Sequence, residues 1–157
     1  MTNAMTMRQA EARLRGWIRE LPPLLADRSE EELKARPGPG KWSQLEILGH
    51  LCDSALHNLM RFVRIRIEPQ PLPLTPYAQD DWVSGQRYQA ASYDHVLSLW
   101  LALNARIADV WAGLPEDAGE WTFMRPDGQT ITLELWADDY VLHLEHHMRS
   151  LNIDGFA

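Results

Sequence analysis

Between Glu68 and Pro76 the chain carries four prolines in nine residues, EPQPLPLTP. Each proline lacks a backbone N–H and fixes φ, so no helix can run through this stretch and it must cross the molecule extended. The flanking segments have the opposite character. From Thr6 to about Leu25 apolar residues recur at intervals of three and four (Met7, Ala10, Leu14, Trp17, Ile18, Leu21, Leu25), which predicts an amphipathic helix bent near Pro22 and Pro23. Ser29 and the three glutamates after it read as a short capped turn of helix before Arg36 to Gly40, where Pro and Gly alternate and forbid one. Ser43 and Glu46 form a capping-box pattern that opens a second long helix ending near Ile67. Ser92 caps a third, whose stripe Tyr93, Val96, Trp100, Leu103, Ile107, Val110 and Trp111 stops at Gly113. A fourth runs from Thr132 to about Leu151. Before it, Trp121 to Met124 and Gln129 to Thr132 flank Asp127-Gly128, a pair suited to a tight turn, and predict a small β-hairpin.

Four long amphipathic helices with one short hairpin predict an all-α fold, a four-helix bundle, in one domain over residues 1–157. A formal charge of −7 offers no basic footprint to a phosphate backbone, so nucleic acid is not an expected partner. No window approaches the ~20 apolar residues that span a bilayer, and no apolar leader precedes Arg8; no membrane association and a cytoplasmic location are the expectations. The single cysteine, Cys52, cannot form an internal disulfide and reads as a small buried apolar side chain.

The last helix poses a problem. Its segment DYVLHLEHHMRSL, residues 139–151, holds three of the six histidines. Leu133, Trp136, Tyr140, Leu144, Met148 and Leu151 define the buried stripe; His147 falls inside it, and His143 and Asp139 lie along its edge. An imidazole left unpaired in an apolar seam costs about 1–3 kcal/mol. Residues four apart on a helix point the same way, so His143 and His147 could share one metal ion, with Asp139 a turn back to orient a ligand and His146 toward the polar side. A third ligand should come from another helix. On the second helix Leu45, Leu48, Leu51, Cys52, Leu56, Leu59 and Val63 make the apolar arc, while Glu46, His50, His57, Arg61 and Arg64 lie opposite. Periodicity therefore turns His50 to solvent and does not choose it over His57 or His95.

The words GKWSQLEILGHLCDS from Gly40 to Ser54, then Arg61, RIRI from Arg64 to Ile67, YAQDDWV from Tyr77 to Val83 and HLEHH from His143 to His147 resemble, in order and over nearly the whole chain, the DinB/YfiT-like metalloproteins. The resemblance implies a four-helix bundle of up-down-down-up connectivity, with the Pro-rich 68–76 segment as its crossing loop. It implies a divalent metal, zinc or nickel, held by one histidine of the Trp-Ser helix and two of the last helix, here His50, His143 and His147. Many relatives carry Glu or His directly after the Asp-Ser pair where this chain has Ala55, so that role is lost or moves to His57. Asp53, three residues after His50, could orient it; His57, His146 or Asp139 could close the coordination shell; Arg61 and Arg64 could draw an anionic substrate to the rim. Trp42, Tyr77 and Trp82 read as loop anchors, and Tyr93 or Asn104 as a source of one pocket hydrogen bond.

The chemistry implied by the resemblance is metal-dependent S-transfer of a low-molecular-weight thiol, such as bacillithiol or glutathione, to a small electrophile. The alternatives are a metal-dependent hydrolase and a non-catalytic metal-binding stress-response protein. Seven tryptophans appear more than a small bundle needs to bury, and relatives often pair, so a homodimer is expected.

Overall fold

A computed structural model describes residues 3–153 of the chain. Helix α1 (Met7–Leu25) begins at Thr6 with a reciprocal cap between Thr6 and Gln9, and it continues through Pro22 and Pro23. A short α2 (Glu30–Lys34) follows. Helix α3 (Gln44–Ile67) opens on the Ser43 and Glu46 capping box predicted from the sequence. The long connection to the next bundle helix contains strand β1 (Leu72–Pro73), helix α4 (Gln79–Gly85) and a turn of 3-10 helix at Tyr88–Ala90. Helix α5 (Tyr93–Ala112) and helix α6 (Leu133–Ser150) start at Ser92 and Thr132, whose side chains accept from the backbone N–H groups of His95 and Leu135.

Cross-links between helices fix their directions. Met5 N–H donates to Asp138 at 3.0 Å and Arg13 Nη2 donates to Glu145 at 2.8 Å, so α1 and α6 run together. Cys52 Sγ donates to the Val96 carbonyl at 3.4 Å and, at the far end, Arg66 Nη1 donates to the Gly113 carbonyl at 3.2 Å, so α3 and α5 also run together. Trp136 Nε1 donates to Asn58 Oδ1 at 2.8 Å while the rings of His50 and His147 meet a few turns away, which makes α6 antiparallel to α3. The result is the up-down-down-up bundle, and the Pro-rich crossing is what lets two successive long helices run in parallel.

The predicted hairpin forms as β2 (Thr122–Met124) and β3 (Thr130–Thr132), antiparallel, with Phe123 opposite Ile131. The crossing segment adds a third strand: β1 pairs in parallel with β2, Leu72 beside Phe123, and Leu74 N–H donates to the Met124 carbonyl at 2.8 Å. Pro73 is tolerated because β1 is an edge strand. Leu72, Phe123 and Ile131 bury themselves against Ala10, Leu14, Phe62, Trp111, Leu133 and Tyr140, closing one end of the bundle. A second cluster, with Trp17, Leu21, Leu48, Trp100, Leu144 and Met148, fills the other.

Two sequence expectations are corrected. The polar side of α3 is not solvent-facing over its first three turns: Glu46, His50, Asp53 and Ser54 are buried along with Leu45, Leu48 and Leu51, because α2, α5, α6 and Tyr88 surround that half of the helix. Farther along, the predicted apolar arc is instead partly open, with Leu56 and Leu59 half-buried and Val63 exposed. Of the seven tryptophans, Trp17, Trp100 and Trp111 are buried and Trp42, Trp82, Trp121 and Trp136 half-buried within one chain. Among the described residues no helix is long and apolar enough to cross a membrane.

Candidate metal centre

Three imidazoles meet where α3 crosses α6. His50 comes from the second turn of α3, and His143 and His147 from successive turns of α6; one ring nitrogen of each lies within 4.8 Å of the others. The ring centroids are 5.4 Å apart for His50 and His143, 4.7 Å for His50 and His147, and 4.6 Å for His143 and His147, with planes inclined by 70–74°. The rings thus meet edge to face and do not stack. The Nε2 atoms of His143 and His147 are 3.2 Å apart.

His50 is fully buried, and neither Nδ1 nor Nε2 has a hydrogen-bond partner. That is a costly arrangement for an imidazole unless something else takes a lone pair. Burial, and then the proximity of His147 and His143, pushes the His50 pKa down to about 3. Burial and then His143 and His146 push His147 down to about 4, and His143 is lowered chiefly by burial. All three are therefore neutral at pH 7, the protonation state in which imidazole binds metal. A divalent cation fits this donor set: neutral nitrogens, an orphaned buried ring and mutual distances of ligand size. The wall behind His50 is Trp42, whose ring centroid is 4.8 Å away.

The remaining candidates go elsewhere. Asp53 is buried but makes no hydrogen bond to His50; its Oδ1 accepts from Tyr88 Oη at 2.7 Å and from Gln86 Nε2 at 3.1 Å, which opposes a pKa raised by burial. His57 does not join the cluster. Its Nδ1 sits 2.8 Å from the Asp53 carbonyl, and its ring is stacked on Tyr77 at 3.8 Å with the edge of Trp82 at 4.5 Å. Tyr77 and Trp82 thus serve as the loop anchors expected of them, with His57 as the post. His146 is exposed on the outer face of α6, and His95 is exposed at the start of α5. Asp139 is turned to Arg125, at 3.8 Å. Arg64 is spent on a surface ion pair with Glu68 at 2.7 Å. Asn104 is a satisfied core group, donating to the Trp100 carbonyl and accepting from Tyr140 Oη. Tyr93 Oη is buried without a partner. Among the described residues, the group of potential metal ligands therefore consists of the three histidines alone.

Sequence reading missed the residues that hold these elements in place. Gly49 allows the Tyr88 ring to lie directly on α3: a Cβ at that position would come 2.2 Å from Tyr88 Cδ2. A lone glycine inside a helical pattern was the available signal. Glu145, between the two α6 histidines but on the opposite face, is buried and accepts from Arg13 and from Trp17 Nε1, fixing the rotation of α6.

His143 borders a cavity of 250 Å³ lined by Ser54, Asn58, Arg61, Tyr77, Trp136 and Tyr140 among others. The protein's one thiol does not reach it. Cys52 is buried, and burial followed by the nearby Asp53 carboxylate pushes its pKa far above the ordinary range.

Comparison with known proteins agrees with this architecture. A relative in Geobacillus thermodenitrificans, named "Putative metal-dependent hydrolase", is 27% identical over 139 residues, which cover 83% of this chain and 75% of the relative. One in Oceanobacillus iheyensis, of the same description, is 28% identical over 139 residues, 84% of this chain and 80% of its own. The solved structure of YfiT from Bacillus subtilis, described as a probable metal-dependent hydrolase with an unusual four-helix bundle topology, superposes with a TM-score of 0.81 at 22% identity, over 98% of this chain and 94% of that one. The crystal structure of the mycothiol-dependent maleylpyruvate isomerase shares the fold at a TM-score of 0.66 and 16% identity, over 98% of this chain and 62% of that one. The family profile of the DinB superfamily matches residues 8–151, and the chain belongs to that superfamily.

Proposed function

We propose that His50, His143 and His147 hold one divalent cation, zinc or nickel, and that the protein uses it to activate a low-molecular-weight thiol for attack on a small electrophile. The observation that carries this reading is the buried His50 ring, both nitrogens unpartnered, facing two neutral histidines with no further ligand group among the described residues. Three protein ligands leave a coordination position for a reactant, whereas a structural site would be closed by a fourth. A divalent cation bound there supplies Lewis-acid activation, keeping a coordinated thiol deprotonated at neutral pH where only a few per cent of a free thiol of pKa about 8.5 is ionised.

The chain supplies the rest. Trp42 stands against the His50 ring, and the cavity beside His143 provides the approach for a small molecule. Because Cys52 is buried and held protonated, the sulfur must arrive with the substrate. The mycothiol dependence of the isomerase that shares the fold supports this choice of nucleophile. The description of the nearer relatives as metal-dependent hydrolases favours a second reading, in which the same centre activates water.

The test is turnover by untagged protein with glutathione, bacillithiol and related thiols against a panel of small electrophiles, and with simple esters and amides in the absence of thiol. Thiol consumption that a chelator abolishes and Cys52→Ser leaves intact supports S-transfer. Thiol-independent hydrolysis that requires the metal transfers the assignment to a hydrolase, and no turnover with any pair leaves a metal-binding, non-catalytic role.

A further inference from the structure

Arg61 lacks the ion pair that six other arginines make, an arrangement shared by the half-buried Arg28, whose partners are Gln44 and the Leu151 carbonyl, but only Arg61 lies in the space beside the histidines. Arg13, Arg15, Arg36, Arg64, Arg106 and Arg125 each face a carboxylate within 4.0 Å. Arg61 is half-buried, yet the partners of its guanidinium are neutral: Nη2 donates to the Thr75 carbonyl at 2.7 Å, Nη1 donates to Asn58 Oδ1 at 3.3 Å, and Cζ stands 5.7 Å over the Trp136 ring. Among the described residues it has no carboxylate partner. A desolvated cation without a counter-charge is costly, and here the cost is combined with careful placement. Asn58 is buried and holds both walls at once, its Oδ1 accepting from Arg61 and from Trp136 Nε1 at 2.8 Å while its Nδ2 donates to the Ser54 carbonyl at 2.8 Å.

The space beside Arg61 is elongated. The 250 Å³ cavity that His143 borders shares Arg61, Tyr77, Gln79 and Trp136 with a neighbouring one of 470 Å³, which reaches Leu74, Pro76 and the hairpin tip. Together they form one groove from the histidines outward, with aromatic and apolar walls and an unpaired guanidinium part-way along. The other cation of the groove, Arg125, faces Asp139, and Asp127 also lines it. With Asp139 paired to Arg125, one remaining acid, Asp127, beside one uncompensated cation favours a singly charged guest over a phosphate dianion. The planar fork of Arg61 suits a carboxylate, and the Tyr77 and Trp136 faces suit a flat apolar body.

We propose that this groove is a recognition subsite for a carboxylate attached to an apolar or aromatic body, with Arg61 as the residue that selects the charge. It deepens the reading of the adjoining histidine centre as a reactive site and rests on it for its purpose, but its binding test does not require turnover. The probes are phenylacetate, its neutral amide phenylacetamide and phenyl phosphate, titrated into full-length protein while the indole N–H resonance of Trp136 is followed by NMR. Phenylacetate is expected to bind at least about tenfold more tightly than phenylacetamide, the size expected for one charge-assisted pair, and more tightly than phenyl phosphate. Arg61→Gln should abolish that preference, Arg64→Gln should leave it, and His147→Ala should keep it even when the ion is lost. Equal affinity for acid and amide in the unsubstituted protein overturns the proposal, and so does tighter binding of phenyl phosphate. Phenylacetate binding that survives Arg61→Gln but disappears in His147→Ala would place the carboxylate on the ion and overturn it as well. Failure of the metal reading shows separately, in the ion content of the same samples.

Discussion

The Nε2 atoms of His143 and His147 lie 3.2 Å apart on successive turns of α6. Two nitrogens on one tetrahedral ion, each at about 2.0–2.1 Å, stand about 3.4 Å from each other. The spacing of the helix therefore delivers two ligands at nearly coordinating separation, and α3 brings the third, His50, to the same place.

A pH dependence follows for the metal-free protein. His50 and His147 have folded pKa values of about 3 and about 4 against an ordinary 6.5, so below pH 6.5 the unfolded chain takes up protons that the folded chain refuses. Stability should be flat above about pH 6.5 and fall as the pH drops toward 4, by up to ~1.4 kcal/mol per unit for each histidine that stays neutral in the fold. Urea melts of chelated protein between pH 7.5 and 4.5 would show it. His50→Gln should flatten the slope; an unchanged slope would mean that other groups dominate.

Gly49→Ala should destabilise the protein by about 1–3 kcal/mol, because the added methyl meets the Tyr88 ring at 2.2 Å and must move it off Asp53. Tyr88→Phe keeps the ring and removes only the hydroxyl, and should cost about 1–2 kcal/mol by leaving Asp53 to Gln86 alone. Chemical denaturation of the two variants separates steric from hydrogen-bond loss. A neutral Gly49→Ala would mean that Tyr88 has room to shift.

Much of this architecture is legible from the sequence because it depends on local rules. The caps at Ser43, Ser92 and Thr132 and the four apolar periods mark the bundle helices, and the prolines mark the crossing. What periodicity cannot see is enclosure. His50 lies opposite the apolar arc of α3 and looks solvent-facing, yet it is buried because α6 covers that side, a fact of tertiary packing that no single-helix pattern contains. Only the family resemblance singled it out. Likewise β1 depends on a partner some fifty positions away, Phe123 for Leu72, and Arg61 and Arg64 are indistinguishable until one is found in a groove and the other on Glu68.

Glu145→Gln should lower stability by about 1–3 kcal/mol, since it leaves Arg13 and Trp17 with a weaker acceptor. The change lies between His143 and His147 in sequence but faces away from them, so metal content should remain at the level of the unsubstituted protein. Loss of metal in a folded Glu145→Gln protein would show that the rotation of α6 depends on this charge.

Cys52 should resist thiol-modifying reagents in the native protein and react only on unfolding, because its Sγ is buried and donates to the Val96 carbonyl. Reagent uptake under native conditions and in denaturant measures this directly. Rapid native labelling would put the cysteine back among the candidates for chemistry.

The central claim is tested most directly by metal analysis of protein purified without a His-tag, alongside its His50→Ala, His143→Ala, His147→Ala and His143→Ala/His147→Ala variants, with helical content checked for each. The account predicts one divalent ion per chain, bound through imidazole nitrogen at about 2.0–2.2 Å by X-ray absorption, with stoichiometric binding lost in every variant while the helices persist. A folded double variant that still holds one ion per chain at the unsubstituted affinity would contradict it.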